Sequence, residues 1–381
     1  MRIARYIIAI FILLACYIAI SHKPHSEKPT IRIALHNMFP PAPISRNTPI
    51  SAWPKVIADK IHFFLHPEDR LKEFGMLNEI LSEKYNIEIT SSNYDIIIDS
   101  VFGNEPLPTT RHCEEDKVRR GNLTSDKREI AKVARDLAMT SSHKCPIKIF
   151  FTGEAIKPRN PENYDLVMGF DYIDHPNYIR VPLYYMYPIY DAHNIRTDYD
   201  RGTCNPHKPY FACFLYSNSG ENDPKRFDGA MARNSLFDKL SGYKKVESGG
   251  KYRNNIGHMV SREDTMQWMS QCKFVVSYEN QTYDGYMTEK PFLSYFAGAV
   301  PLYYGDKHAM QDINSKAMIF QGDFAGQDEM VEYIKKVDND DALYCEIWNE
   351  RIIVDPSKDY EVVKLKLKAM LNAALTRKTN Y

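Results

Sequence analysis

Residues 278 to 306 read YENQTYDGYMTEKPFLSYFAGAVPLYYGD, and the run just before and into them, KFVVSY (Lys273 to Tyr278), is short, apolar and rich in β-branched and aromatic residues. Such a run is the signature of a strand buried on both faces, as in a parallel sheet. Residues 279 to 288 are then the loop at the strand's C-terminal end, the place where open α/β sheets bind ligands. Thr288 is expected to cap a helix that begins Glu289-Lys290-Pro291, since proline is tolerated in a first turn. Leu293, Phe296, Ala297 and Val300 supply that helix with apolar spacing. A helix start that faces a crevice suits phosphate groups.

Working outward, the same alternation of strand and helix recurs on both sides. Upstream, TIRIALHN (30 to 37) reads as a first strand, followed by helices near 55 to 66 and 72 to 84 and a strand within YDIIIDSVFG (94 to 103). Residues 104 to 127 are charged and contain Pro106, Pro108 and Gly121, which marks a surface loop. A helix around 127 to 139, the strand IKIFF (147 to 151) and strands in YDLVMGF and YIRVPLYY complete a first α/β series. Residues 187 to 209 lack apolar periodicity and read as a linker. A second series starts at YFACFLYS (210 to 217). It runs through a helix near 228 to 241, the strand KKVESGG, a helix near 262 to 271, KFVVSY, the Glu289 helix, VPLYYG and AMIFQG, then helices near 327 to 336 and 340 to 349. The last segment, 360 to 376, has one apolar helical face that is expected to pack back on the first domain. The expected organisation is residues 1 to 29 as anchor and stem, 30 to 186 as a first domain, 187 to 209 as linker, 210 to 358 as a second domain and 359 to 381 as a C-terminal helix.

Composition agrees with two domains, because 381 residues exceed the roughly 250 to 300 that one core sustains. Forty-nine basic residues balance forty-nine acidic ones, which argues against a nucleic-acid partner. The seven cysteines show no C-x-x-C or Cys/His spacing, so no zinc site is expected and most are read as free thiols, with pairing unreadable from sequence. Residues 1 to 21, MRIARYIIAIFILLACYIAIS, place two arginines before an apolar run from Tyr6 to Ile20. We read this as an uncleaved single-pass anchor in preference to a cleaved signal peptide or a lipidated Cys16. Positive residues lie on both sides of the run, so its orientation is left open.

The stretch around 278 to 306 resembles the C-terminal motif of glycosyltransferase family 10, the α-1,3-fucosyltransferases. The matching letters are Phe274, Glu279, Asn280, Tyr286, Met287, Thr288, Glu289, Lys290, Pro301 and Gly305. The resemblance continues through SNSG (217 to 220), MARNSLFDKL (231 to 240) and SGGKYRNNIG (248 to 257), and more weakly to FFTGE (150 to 154). It implies a GT-B fold: α/β, two Rossmann-like doubly wound domains facing a cleft. It also implies GDP-fucose as donor and a GlcNAc-containing glycan as acceptor. The anchor supplies membrane attachment, in a bacterial inner membrane or in the Golgi.

The chemistry explains the residue types. A departing diphosphate carries extra negative charge, which requires fixed cations or a divalent metal. The resemblance assigns Arg233 and Lys290 to the diphosphate, Glu289 to the fucose hydroxyls, and Asn280 and Tyr286 to further donor contacts. Ser217 and Asn218 after one strand, and Gly249 and Gly250 after another, are places where backbone amides can approach the donor. The competing plain readings are an Arg233 paired with an acid on its own helix, a Glu289 paired with Lys290, a turn-forming Asn280 and a core Tyr286. Glu154, ending FFTGE, matches the family's base, and a single base implies inversion at the anomeric carbon. Asp198-Tyr199-Asp200 and Asp338-Asn339-Asp340 follow no apolar strand and are read as solvated surface, so no protein metal site is expected and manganese or magnesium would only stimulate. Two alternatives stand beside this reading: a GT-B enzyme using another nucleotide sugar, and an inactive anchored glycan-binding protein. The sequon Asn280-Gln281-Thr282 inside the donor stretch weighs mildly against a glycosylating lumen.

Overall fold

The computed structural model describes residues 28–36, 74–101, 145–157 and 161–379. The expected anchor, the helices near 55 to 66 and 127 to 139 and the loop 104 to 127 lie outside the described residues. Among the described residues no helix is long and apolar enough to cross a membrane.

Two parallel sheets organise the chain. The first contains β1 (Thr30–His36), β2 (Asn86–Ile89), β3 (Ile96–Asp99), β4 (Ile147–Phe151), β5 (Leu166–Gly169) and β6 (Tyr178–Arg180) in the order β2-β1-β3-β4-β5-β6. Helix α1 (Gly75–Lys84) precedes β2. The second sheet contains β7 (Tyr210–Phe214), β8 (Val246–Ser248), β9 (Cys272–Tyr278), β10 (Val300–Tyr304) and β11 (Ile319–Phe320) in the order β11-β10-β9-β7-β8. Its helices are α2 (Asp228–Ser241), α3 (Thr265–Met269), α4 (Lys290–Phe296), α5 (Gln327–Asp338) and α6 (Asp341–Asn349). The short strand β2, with its single alternation of isoleucines, is the element that apolar patterning did not single out.

β9 is buried along its whole length, which is why its sequence shows no alternation. Phe274 meets Phe211 and Tyr344 edge-on, filling the space between that sheet and α6. In the first sheet Ile33, Ile96, Ile97, Ile98 and Ile149 are all fully buried. Helix α7 (Tyr360–Thr379) packs back on the first sheet, as its pattern required. Tyr360, Val363, Leu367, Leu371 and Ala374 form its buried face, while the Tyr360 hydroxyl donates to Glu79 of α1 at 2.8 Å. Lys364 and Lys368 pair with Glu79 and Glu83 on either side of that seam.

The linker region is not a free tether. Arg201 lies between the rings of Tyr295 and Trp348 and donates to three carbonyls, those of Tyr295, Ala299 and Trp348. The cysteines depart from expectation: Cys204 is bonded to Cys345 and Cys213 to Cys272, and Cys145 is disulfide-bonded as well. The partners are 141 and 59 residues apart, and only the fold brings them together.

Candidate active site

The end of β9 delivers Glu279, whose side chain is fully buried. A buried carboxylate must be paired and hydrogen-bonded. It accepts from the Thr288 backbone N–H at 2.8 Å and from the Thr288 hydroxyl at 2.8 Å, and Lys290 Nζ donates to it at 2.9 Å. Lys290 Nζ also meets Thr288 Oγ1 at 2.7 Å. Burial opposes the lysine's charge, but the carboxylates of Glu279 and Glu289 outweigh it and hold the ammonium well above its ordinary range. Thr288 therefore does not cap α4: Glu289 occupies the cap position with no side-chain bond, and the threonine serves the buried carboxylate instead. The ion-pair partner of Lys290 is Glu279, not Glu289 as the plain reading had it. Glu279 and Thr288 stood in the motif, but the sequence reading left both out of the site.

Helix α2 is pressed against the same loop. A Cβ on Gly229 would lie 2.2 Å from the Glu279 carbonyl oxygen, so only glycine fits there. The Ala230 N–H donates to the Asn280 carbonyl at 3.0 Å, and one turn on, Arg233 is fully buried. Its guanidinium donates to Asn280 Oδ1 at 2.5 Å, to the Asn218 carbonyl at 2.6 Å and to Asn218 Oδ1 at 3.1 Å, and it lies over the Tyr216 ring at 4.0 Å. It pairs with no acid on its own helix or elsewhere among the described residues, and burial draws its pKa down. Its neighbours are neutral amides, so no carboxylate among the described residues balances this buried charge.

Ser217 and Asn218 are exposed just beyond β7, and Asn218 orients Arg233. Gly249 and Gly250 have a packing reason for being glycine. A Cβ on Gly249 would lie 2.5 Å from Val260 Cγ2, and one on Gly250 2.2 Å from the Tyr216 carbonyl oxygen.

Across the cleft, Glu154 follows β4 and is partly buried. Among the described residues no donor reaches its carboxylate. Burial raises its pKa above 4.5; Lys290 and Arg226 work against that rise, while Glu289 and Glu279 add to it. Ala155, the next residue, is reached by Gln281 of the loop after β9, which brings this strand end to that loop from more than 120 positions away in sequence. Two contacts close the same seam: Gln281 reaches the Ala155 carbonyl at 3.4 Å, and the buried Tyr286 meets Phe170 edge-on at 5.0 Å between centroids. Asp171, after β5, is 2% exposed, and its carboxylate has no hydrogen-bond partner among the described residues.

A second contact between the sheets was invisible in sequence. Asp312, in the turn after β10, is nearly fully buried and pairs with Arg180 of β6 (Nε at 2.8 Å) and with Lys358 at 2.6 Å; the Tyr172 hydroxyl donates to it at 3.0 Å. Arg180 also donates to the carbonyl of Gly285, whose φ of +74° is a conformation that favours glycine.

One group among the described residues brings metal-ligand atoms together: those of Asp284, Asp306 and His308 lie within 4.8 Å of one another. Asp306 Oδ2 already accepts from the Gly285 and Ala309 amides, and His308 Nδ1 meets Asp284. Of the two D-x-D sequences, 338 to 340 is not solvated as expected: Asp338 is 8% exposed and bridges Lys273 and Lys244, because α5 ends against β9, while Asp340 caps α6. Asp198 is exposed and pairs with Arg196.

Comparison with known proteins gives the family and the fold. Residues 205–372 match the model described as glycosyltransferase family 10 (fucosyltransferase) C-term, and residues 137–187 match the α-(1,3)-fucosyltransferase FucT N-terminal domain. The chain belongs to glycosyltransferase family 10. The α-(1,3)-fucosyltransferase FucT of Helicobacter pylori is 27% identical over 316 residues, 74% of this family 10 chain and 58% of its own length. The 4-galactosyl-N-acetylglucosaminide 3-α-L-fucosyltransferase 9 of Mus musculus is 28% identical over 148 residues, 38% of each chain. The matches thus span less than two thirds of these relatives. A crystal structure of an α1,3-fucosyltransferase superposes with a TM-score of 0.61 at 22% identity, covering 92% of this chain and 91% of that one. The structure of an α1,3-fucosyltransferase with GDP-fucose gives 0.60 at 21% identity over 92% of each. The family 10 chain therefore has the GT-B arrangement, two parallel-sheet α/β units meeting at a cleft.

Proposed function

We propose that this protein is an inverting α-1,3-fucosyltransferase that moves L-fucose from GDP-fucose to a GlcNAc-containing glycan. The observation that carries this reading is the buried guanidinium of Arg233, which has no carboxylate partner among the described residues and sits across one loop from the protonated Lys290. Together they would neutralise a diphosphate. Glu154, beside the Ala155 that Gln281 contacts, would act on that site from the other sheet. In the reaction, Glu154 takes the proton of the acceptor hydroxyl as its oxygen bonds to the anomeric carbon. The bond from that carbon to the diphosphate breaks on the opposite face, and GDP leaves with its charge neutralised by Arg233 and Lys290. Glu289, at the cap position of α4, would stabilise an oxocarbenium-like transition state and hold fucose hydroxyls. Asn280 fixes Arg233, and Tyr286 closes the donor loop on the first sheet. A divalent cation assists diphosphate departure without being required, since two protein cations already converge there.

The relatives are fucosyltransferases by name, which favours fucose over other donors. Incubating the full chain with labelled nucleotide sugars and a GlcNAc-terminated oligosaccharide is expected to give transfer from GDP-fucose. Transfer from another donor and none from GDP-fucose would overturn the assignment. The same reading puts the catalytic domains in an oxidising compartment, supported by the disulfide-bonded Cys145, Cys204, Cys213, Cys272 and Cys345. Thiol titration of protein purified from its native source, with and without reductant, tests this; five or more thiols reactive under denaturing conditions before reduction would reverse it.

A further inference from the structure

The edge of the first sheet carries a second constellation that the transfer step does not use. His36 is the last residue of β1 and Asp99 the last of β3, and the parallel register sets them side by side. His36 Nδ1 lies 2.9 Å from Asp99 Oδ1, and the Tyr164 hydroxyl donates to Asp99 Oδ2 at 2.6 Å. Asp99 is 4% exposed, whereas the His36 side chain keeps 18% of its surface open. A carboxylate held on both oxygens accepts the Nδ1–H, which orients the ring and leaves Nε2 to meet a hydroxyl. The position relative to Glu154 is set by the sheet. β1 and β4 flank β3, so two strand spacings of about 4.8 Å each separate the His36 strand from the Glu154 strand. Ser100 ties the intervening end to β4 by donating to the Phe151 carbonyl at 2.9 Å, so the edge is continuous between them.

We infer that His36, oriented by Asp99 and Tyr164, binds a hydroxyl of the acceptor's second sugar residue, one ring beyond the residue whose hydroxyl contacts Glu154. That second ring then lies along the C-terminal edge of the first sheet, two strands from the end of β4. This rests on the glycosyl-transfer reading above. The test compares a monosaccharide acceptor with a disaccharide that contains the same reacting residue, using the full chain. His36→Ala is expected to raise KM for the disaccharide about tenfold, the loss of one good hydrogen bond, with KM for the monosaccharide and the affinity for GDP unchanged. His36→Gln, which keeps an acceptor, is expected to recover part of the loss, and Asp99→Asn, which frees the ring, to reproduce most of it. An equal rise for both acceptors means that His36 only supports the fold and overturns the inference, as does no rise for either. Direct titration of the disaccharide into wild type and His36→Gln keeps the two readings separable. If no donor supports transfer, the functional assignment fails, while binding of the disaccharide that His36→Gln weakens still upholds the contact, and binding that it leaves unchanged removes it.

Discussion

At the edge of the second sheet, Arg233, Lys290 and Glu279 are each held by two or more hydrogen bonds within the protein. At the facing edge of the first sheet, Glu154 and Asp171 carry carboxylates that no donor among the described residues reaches, and burial raises the pKa of both. The contrast arises from what each edge has to do. A group that neutralises a leaving diphosphate must keep its charge and place throughout, which dense pairing ensures. A group that accepts a proton must be able to change charge, and every fixed donor around it would resist that change.

The largest effect expected from breaking this asymmetry is at Glu154. Glu154→Gln keeps the shape and removes the base, and turnover should fall about a thousandfold. Affinity for GDP, read by calorimetry, should stay at the wild-type value, because the donor seat belongs to the other edge. Turnover within a few-fold of wild type would mean that the proton leaves by another route.

Lys290→Ala attacks the paired edge and should behave differently. It strands the fully buried Glu279, at a cost of about 3–5 kcal/mol in stability, and it also weakens GDP binding. Adding Glu279→Gln removes the stranded charge. The double variant should regain most of the lost stability, read by thermal unfolding, and none of the lost GDP affinity. If both properties return together, the lysine serves only the fold. Asp312→Ala comes next in size, because Arg180 keeps its contact with Gly285 and its stack on Tyr172, and Lys358 can turn to water. A loss of about 2–3 kcal/mol is expected, with GDP affinity intact and transfer reduced several-fold as the two edges lose their fixed spacing.

The same contrast explains what could be read in the sequence. The donor edge is largely one local loop, so Asn280, Tyr286, Glu289 and Lys290 stand within eleven residues and the fold inherits their spacing. Arg233 and Glu154 needed the surrounding letters of a known family, since a lone arginine on a helix or glutamate after a strand says nothing by itself. Asp312 with Arg180 and Lys358, and His36 with Asp99, could not be found at all, because each pairing is created by strand order and register. The cysteines were misread for the same reason: Cys213 and Cys272 meet only because β7 and β9 are neighbours. Thr288 was misassigned by a local rule that a buried carboxylate overrode.

The smallest effect couples the two edges. Burial lifts the Glu154 pKa above its ordinary 4.5, and Lys290 partly offsets that rise. A carboxyl whose pKa is higher in the folded than in the unfolded protein binds protons more tightly when folded. Its contribution to stability is therefore full below the unfolded value and is lost as pH climbs through the folded one. Urea unfolding across that window should show wild type losing stability relative to Glu154→Gln as pH rises. A difference that stays constant with pH, or one of opposite sign, would remove the raised pKa. The acid limb of kcat/KM for acceptor should lie above the usual carboxylate range for the same reason. In Lys290→Ala the offset is gone, so the limb of the residual activity should move further up, whereas Lys290→Arg should leave it in place. A limb that ignores Lys290 would mean that the two edges do not sense each other's charge, and that the base is tuned by burial alone.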